Sequence, residues 1–317
     1  GFSAIWIVFF HFNIVKQIPF SIFMEYGYAG VDIFLFLSGM GIYYSLHKNY
    51  NLTSFYKKRV SRIYTPFIPF VVAVFIKNIF FFNGNLLTET MAGVGNLLGT
   101  SWFLGLGGDW FIQAILIFYL ISPIIYKLIR HNDCCFWKNG LVILVLILFT
   151  VPMFGNFAFL IAFSRLPIYV LGMMIVDYAT YKGELKINRL IIYLAFIVGV
   201  AILVLPAIFC PDLVGFLGLA WWPFILITPA LCLTIADLAH LVSKNKITNY
   251  LNVSFKYLGT CSLEIYVVHV FIQQIFNQKF TPISTLPWFN GALLIVISVV
   301  GAILYHEVIG LISGLIK

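Results

Sequence analysis

Charge is what this 317-residue chain has least of: 9% of its residues are Asp, Glu, Lys or Arg, against roughly 25% in an average soluble domain. A water-soluble globule of this length needs a polar surface that such a composition does not supply. Cysteine is also scarce. The five are Cys134, Cys135, Cys210, Cys232 and Cys261, with no Cys-x-x-Cys pair and no His/Cys ligand spacing, so neither a disulfide framework nor a metal site is expected. Cys134 and Cys135 fall in an expected cytoplasmic loop, where thiols stay reduced. The chain has no P-loop, dinucleotide fingerprint or metalloprotease helix, and no internal repeat, low-complexity tract or soluble domain. Its opening lacks the charged n-region and the cleavage site of a secretory signal. No nucleic-acid partner is expected.

What the chain has is apolar length. Hydrophobic residues make up 62% of it, gathered in ten stretches: Phe2–Val15, Ala29–Leu46, Ile63–Phe82, Asp109–Ile129, Gly140–Phe154, Phe157–Tyr178, Leu190–Phe209, Ala220–Leu241, Tyr257–Phe276 and Trp288–Ile312. A helix needs about 20 mostly apolar residues to cross a bilayer. The expected fold is therefore all-α: a polytopic integral membrane protein of about ten transmembrane helices, with one domain over residues 1–317. Pro152, Gly155 and Pro167 interrupt the 140–178 region, which could instead hold one span and a re-entrant piece. The first stretch is short and starts without Met, so the N-terminus reads as trimmed.

Basic residues set the orientation. With the chain starting inside, all 19 Lys and Arg except Lys16, Lys77, Arg165 and Lys279 fall on cytoplasmic segments. That asymmetry places both termini in the cytoplasm. The net charge of +8 then lies on the cytoplasmic face, suited to anionic headgroups or an anionic cytosolic substrate.

An ionisable group inside an apolar span is a functional candidate, which singles out His11, Asp32, Arg165, Glu264, His269 and His306. An imidazole with an ordinary pKa near 6.5 suits proton transfer; as a bland alternative, His11 could simply bond across a helix interface. Ser262, Tyr266 and His269 fall at i, i+4 and i+7, a polar stripe on one helical face, with Glu264 pointing elsewhere. The stripe could be interhelical glue or the lining of a wet cavity. His306 and Glu307 read as a structural pair. Arg59 and Arg62, three apart, share a helix face beside Lys58, and two guanidinium forks suit a polyphosphate; a lipid-headgroup anchor is the alternative. Ser38, Gly39 and Gly41 permit close helix approach near Asp32.

Four blocks together resemble the acyltransferase 3 family of polytopic membrane acyltransferases. They are the first span ending at His11; Gly30-Val-Asp-Ile-Phe-Leu-Phe-Leu-Ser-Gly39; Phe55-Tyr-Lys-Lys-Arg-Val-Ser-Arg-Ile63 with Pro66; and Leu258-Gly-Thr-Cys-Ser-Leu-Glu-Ile-Tyr-Val-Val-His269. Weaker matches are Asp109-Trp-Phe through Tyr119 and Pro123, and Arg165-Leu-Pro-Ile-Tyr-Val-Leu-Gly172. Family members carry an arginine eleven positions before the first-span histidine, which here falls just before Gly1.

The resemblance implies an acyl-CoA donor, commonly acetyl-CoA, and O-acylation of a cell-envelope glycan or lipid-linked sugar in the bacterial inner membrane. It implies that Arg59 and Arg62, with Lys58, hold coenzyme A phosphates. His11 would act as general base or transient acyl carrier, and Ser262, Tyr266 and His269 would orient it or the acceptor. Asp32, Ser38, Glu264 and Arg165 would support the site. Helix rise puts His11 about 16 Å above the family's arginine, and His269 about 18 Å beyond Tyr257 on a straight ninth span. A secondary transporter is the rival reading, since transporters too bury ionisable groups, though they usually show internal repeats. A homo-oligomer is left open.

Overall fold

The computed structural model describes residues 1–12, 21–130, 136–183, 188–244, 246–279 and 287–315. Among them there is no strand. The helices in order are α1 (Phe2–His11), α2 (Ser21–Glu25), α3 (Ala29–Lys48), α4 (Leu52–Phe82), α5 (Leu86–Leu98), α6 (Trp110–Ile129), α7 (Phe136–Leu148), α8 (Phe157–Phe163), α9 (Leu166–Lys182), α10 (Arg189–Phe209), α11 (Pro211–Leu217), α12 (Phe224–Ser243), α13 (Lys246–Thr260), α14 (Ser262–Lys279) and α15 (Pro287–Leu315). Lys16, Cys134, Cys135, Lys186 and Lys317 lie outside the described residues.

Each of the ten apolar stretches holds helix among its described residues, but the helices differ in length. Among the described residues seven helical segments are long and apolar enough to cross a membrane: Ala29–Lys48, Leu52–Phe82, Trp110–Ile129, Phe157–Lys182 (α8 and α9 together), Arg189–Phe209, Phe224–Ser243 and Phe289–Ile312. An eighth crossing arises if the bent pair Asn249–Thr260 and Ser262–Phe276 counts as one. Phe2–His11 and Lys138–Met153 are apolar but shorter, so the helices by themselves do not give ten crossings.

Local chemistry sets the boundaries. Asp109 caps α6 by accepting from the Phe111 and Ile112 amides, and Asn188 caps α10 in the same way, satisfying donors that a first turn leaves orphaned. The expected straight helix from Tyr257 to Phe276 is broken instead. The Thr260 hydroxyl donates to the Tyr257 carbonyl at 2.6 Å, competing with the helical ladder, and the chain bends by 73° between the two segments. His269 therefore stands only about 10 Å along α14 from Ser262, and the 18 Å straight rise does not hold.

By packing, the chain divides into two compact units. The first comprises Gly1–Val31, Ser61–Asn85 and Ala236–Lys317; the second comprises Asp32–Val60 and Leu86–Ile235. In the first unit, Ala4, Val8 and Phe12 recur every four residues on α1 and bury against Cys261 and Ile265, with Leu294 and Ala302 of α15. Gly30 lets the chain approach the Ser3 carbonyl of α1, and the Trp6 indole donates to the Phe23 carbonyl at 2.7 Å. Both fix where α1, and hence His11, is held.

In the second unit, α3 and α9 cross at paired glycines. A methyl group on Gly39 would run into the Tyr169 carbonyl, and one on Gly172 into the Phe36 carbonyl, whereas Gly41 faces open space. The small-residue run thus serves close packing at Gly39 but not at Gly41. Gly39→Ala and Gly172→Ala should each cost about 1–3 kcal/mol by overpacking, read as lowered thermal unfolding temperatures in detergent. Gly41→Ala should leave the temperature unchanged; equal losses in all three would refute the crossing.

Candidate active site

The centre of the first unit is a pair of histidines 258 positions apart in sequence. The α1 stripe seats that helix on α14, and the two rings meet there: His269 Nε2 lies 3.1 Å from His11 Nδ1. His269 is wholly buried, and each ring also reaches back to its own helix. His269 Nδ1 is 2.9 Å from the Ile265 carbonyl, and His11 Nδ1 is 3.1 Å from the Ile7 carbonyl.

These contacts assign the protons. A carbonyl only accepts, so His269 Nδ1 carries hydrogen and donates to Ile265. In the neutral ring its Nε2 is then an acceptor. His11 Nδ1 must supply the hydrogen between the rings, shared with the Ile7 carbonyl. The His11 Nε2 lone pair is left over, with no partner among the described residues. The pair thus presents one imidazole nitrogen as a base and holds its ring from the opposite side. Aromatic rings surround the pair: Tyr266 stands edge-on to His269 at 5.3 Å, Phe10 lies 5.1 Å from His11, and Phe12 is edge-on to His269.

Of the expected stripe, Tyr266 joins His269, while Ser262 is buried in the first turn of α14 just past the bend. Glu264 meets His306, with Nδ1 to Oε1 at 2.9 Å. The expected His306–Glu307 pair is not formed, because adjacent helical residues point about 100° apart. Glu307 instead accepts from the Tyr257 hydroxyl at 2.6 Å.

In the second unit Asp32 and Arg165 form an ion pair, 3.3 Å from Nε to Oδ1, with both side chains 1% exposed. Arg165 Nη1 also donates to the Ile161 carbonyl at 2.6 Å. The guanidinium lies over the rings of Trp110 and Trp221, at 5.0 and 5.7 Å. Ser38 is half-buried on α3. On α4, Arg59 is half-buried, while Lys58 and Arg62 are exposed. Arg59 sits over Phe55 and Tyr119, at 5.7 and 5.8 Å, and its buried Nε has no hydrogen-bond acceptor. Among the described residues no group of three His, Cys, Asp or Glu could hold a metal.

Two polar clusters escaped the sequence reading. Gln113 Nε2 donates to Ser101 at 2.7 Å and to Asn96 at 3.2 Å, and Tyr43 donates to Asp177. The signal was present in each case, since Gln113 and Asp177 are polar residues in apolar runs.

Removing one member of a buried ion pair leaves the other charge stranded. Asp32→Ala should cost about 3–5 kcal/mol, measured by thermal unfolding, and the double change Asp32→Ala with Arg165→Met should recover much of the loss. A double variant no more stable than the single one would show that the two residues act independently.

Comparison with known proteins adds the chemistry. No solved structure matches the chain. One relative is the "Putative acetyltransferase ORF330" of Acidianus two-tailed virus, 25% identical over 216 residues, a match covering 65% of this chain and 64% of that protein. The chain thus spans less than two thirds of that relative's length. Residues 1–307 match the acyltransferase 3 family, described as an acyltransferase domain. A match over nearly the whole length, on a helical chain with two imidazoles in contact, places this protein in the acyltransferase 3 family.

Proposed function

We propose that the protein is a single membrane-embedded O-acyltransferase domain, moving an acyl group, commonly acetyl, from cytosolic acyl-CoA to a hydroxyl of a cell-envelope glycan or lipid-linked sugar. Its setting is the bacterial inner membrane, with both termini in the cytoplasm. The observation that carries the reading is the His11–His269 contact, because it leaves one imidazole nitrogen available to take a proton.

His11 Nε2 removes the proton of the acceptor hydroxyl as its oxygen attacks the thioester carbonyl. The new C–O bond forms, the C–S bond breaks, and the coenzyme A thiolate leaves, to be protonated by the imidazolium. Through Nδ1–H, His11 stays bonded to His269 Nε2, which fixes the ring and supports its positive charge. His269 is thus a positioning residue for the base, and Tyr266 holds His269 in turn. The same nitrogen could carry the acyl group transiently. Arg59, Arg62 and Lys58 hold the donor phosphates, and the acceptor-free Nε of Arg59 suits a phosphate oxygen. Asp32, Arg165, Ser38, Ser262 and Glu264 support the helices that carry these groups.

One feature also favours a secondary transporter, since the bent α13–α14 pair resembles the broken helices of such proteins. Purified protein given radiolabelled acetyl-CoA separates the two: an acyltransferase consumes the thioester, and a carrier does not. His11→Gln should cut turnover by about 10²–10⁴-fold, because glutamine keeps a hydrogen bond but cannot accept a proton at neutral pH. A His11→Gln variant at near wild-type rate would refute the base. Arg59→Ala and Arg62→Ala should each raise the apparent KM for acetyl-CoA about tenfold to hundredfold, and Arg→Lys should rescue little. Unchanged KM in both would reduce the pair to a topology signal.

A further inference from the structure

The second unit holds a cluster of cations that the roles above do not use. Lys127 and Arg130 end α6, both exposed. The Lys127 ammonium lies 5.5 Å from the Tyr50 ring centroid, and the Arg130 guanidinium 5.7 Å from that of Tyr126. Among the described residues neither makes a salt bridge, nor does Arg59. The carboxylate of this region, Asp177, is taken by the Tyr43 hydroxyl. Three cations therefore rest on aromatic faces with their N–H donors uncommitted to any anion.

The aromatic floor has a direction. Tyr119 and Tyr126 are seven residues apart on α6, so they share one face at a separation of about 10 Å. Arg59 sits at the Tyr119 end. At the other end Tyr50, from the short link between α3 and α4, stacks on Tyr126 with centroids 5.7 Å apart and planes 23° apart. Tyr126 is 1% exposed, whereas Tyr50 is 38% exposed: a buried ring backs an accessible one. Cations at a helix C-terminus can simply answer the dipole, but that does not explain an accessible ring stacked on a buried one between them. A partly exposed aromatic ring with a lysine ammonium over it, a second cation on the buried ring behind it, and a further unpartnered guanidinium Nε two turns away are the chemistry that receives a planar base carrying phosphates at two positions, the exposed Lys127 side chain swinging off the ring to a phosphate as the base stacks.

We propose that Tyr50, Lys127 and Arg130 form a nucleotide subsite. The base of the donor stacks on Tyr50, Lys127 and Arg130 bind a phosphate on its ribose, and Arg59 binds the diphosphate. This rests on the acyl-CoA reading above and assigns new residues to the recognition of the donor's adenosine end.

The test measures binding to full-length protein in detergent, with adenosine 3′,5′-bisphosphate, coenzyme A, dephospho-coenzyme A and inorganic pyrophosphate as separate probes. Wild type should bind adenosine 3′,5′-bisphosphate and prefer coenzyme A to dephospho-coenzyme A. Tyr50→Ala should weaken coenzyme A binding by roughly five- to a hundredfold, as loss of base stacking does, while Tyr50→Trp retains it. The double change Lys127→Gln with Arg130→Gln should abolish the preference for the form bearing the ribose phosphate. Wild-type affinity in Tyr50→Ala and in the double variant overturns the subsite, and so does pyrophosphate binding as tight as that of the nucleotide. Tyr50 lies in an exposed link, and retention by Tyr50→Trp separates lost stacking from lost folding. If thioester is consumed while these variants bind normally, the subsite falls and the transferase reading stands. Nucleotide binding that depends on Tyr50 without any thioester consumption gives the reverse.

Discussion

A chain with this little polar surface has few groups with which to answer a buried charge or donor, and leaving one unanswered costs on the order of kilocalories. The placement of the polar side chains is therefore a pairing problem. In the first unit, α1 and α14 are registered by their apolar stripe, and that register brings two distant imidazoles to 3.1 Å. Each ring also spends one contact on its own helix. What remains is a single nitrogen, so the tautomer of each ring follows from satisfying everything else.

The second unit solves the same problem by other means. Asp32 and Arg165 neutralise one another with almost no water access, and two indoles cover the guanidinium. Such a pair adds little net stability over an apolar replacement, but it ties the start of α9 to α3. The glycine crossing at Gly39 and Gly172 lies further along the same two helices. One contact is electrostatic and the other steric, and together they set both the distance and the register of α3 against α9.

Much of this was legible in the sequence. Apolar length marked where the helices lie, because burial of a helical backbone depends on composition averaged over many residues. Ionisable residues in apolar runs marked His11, His269, Asp32 and Arg165, because each is costly without a partner. Who pairs with whom was not legible. Asp32 with Arg165, and Glu264 with His306, depend on helix packing that spacing does not encode. The expected His306–Glu307 pair failed on local geometry alone. The break at Cys261 hid because no proline or long polar run marks it; a threonine hydroxyl bonded three residues back is a weak sequence signal.

That break changes the electrical setting of the residues after it. By ending α13 and beginning α14 at Ser262, it creates a helix N-terminus inside an apolar segment, with Glu264 in its first turn. The partial positive charge of a helix start, roughly half an elementary charge, favours an anion there. In an unbroken helix Glu264 would sit mid-span, where the backbone offers it no such field. Bending the chain thus sets the Glu264 carboxylate at a helix start, beside His306, instead of in the middle of a span.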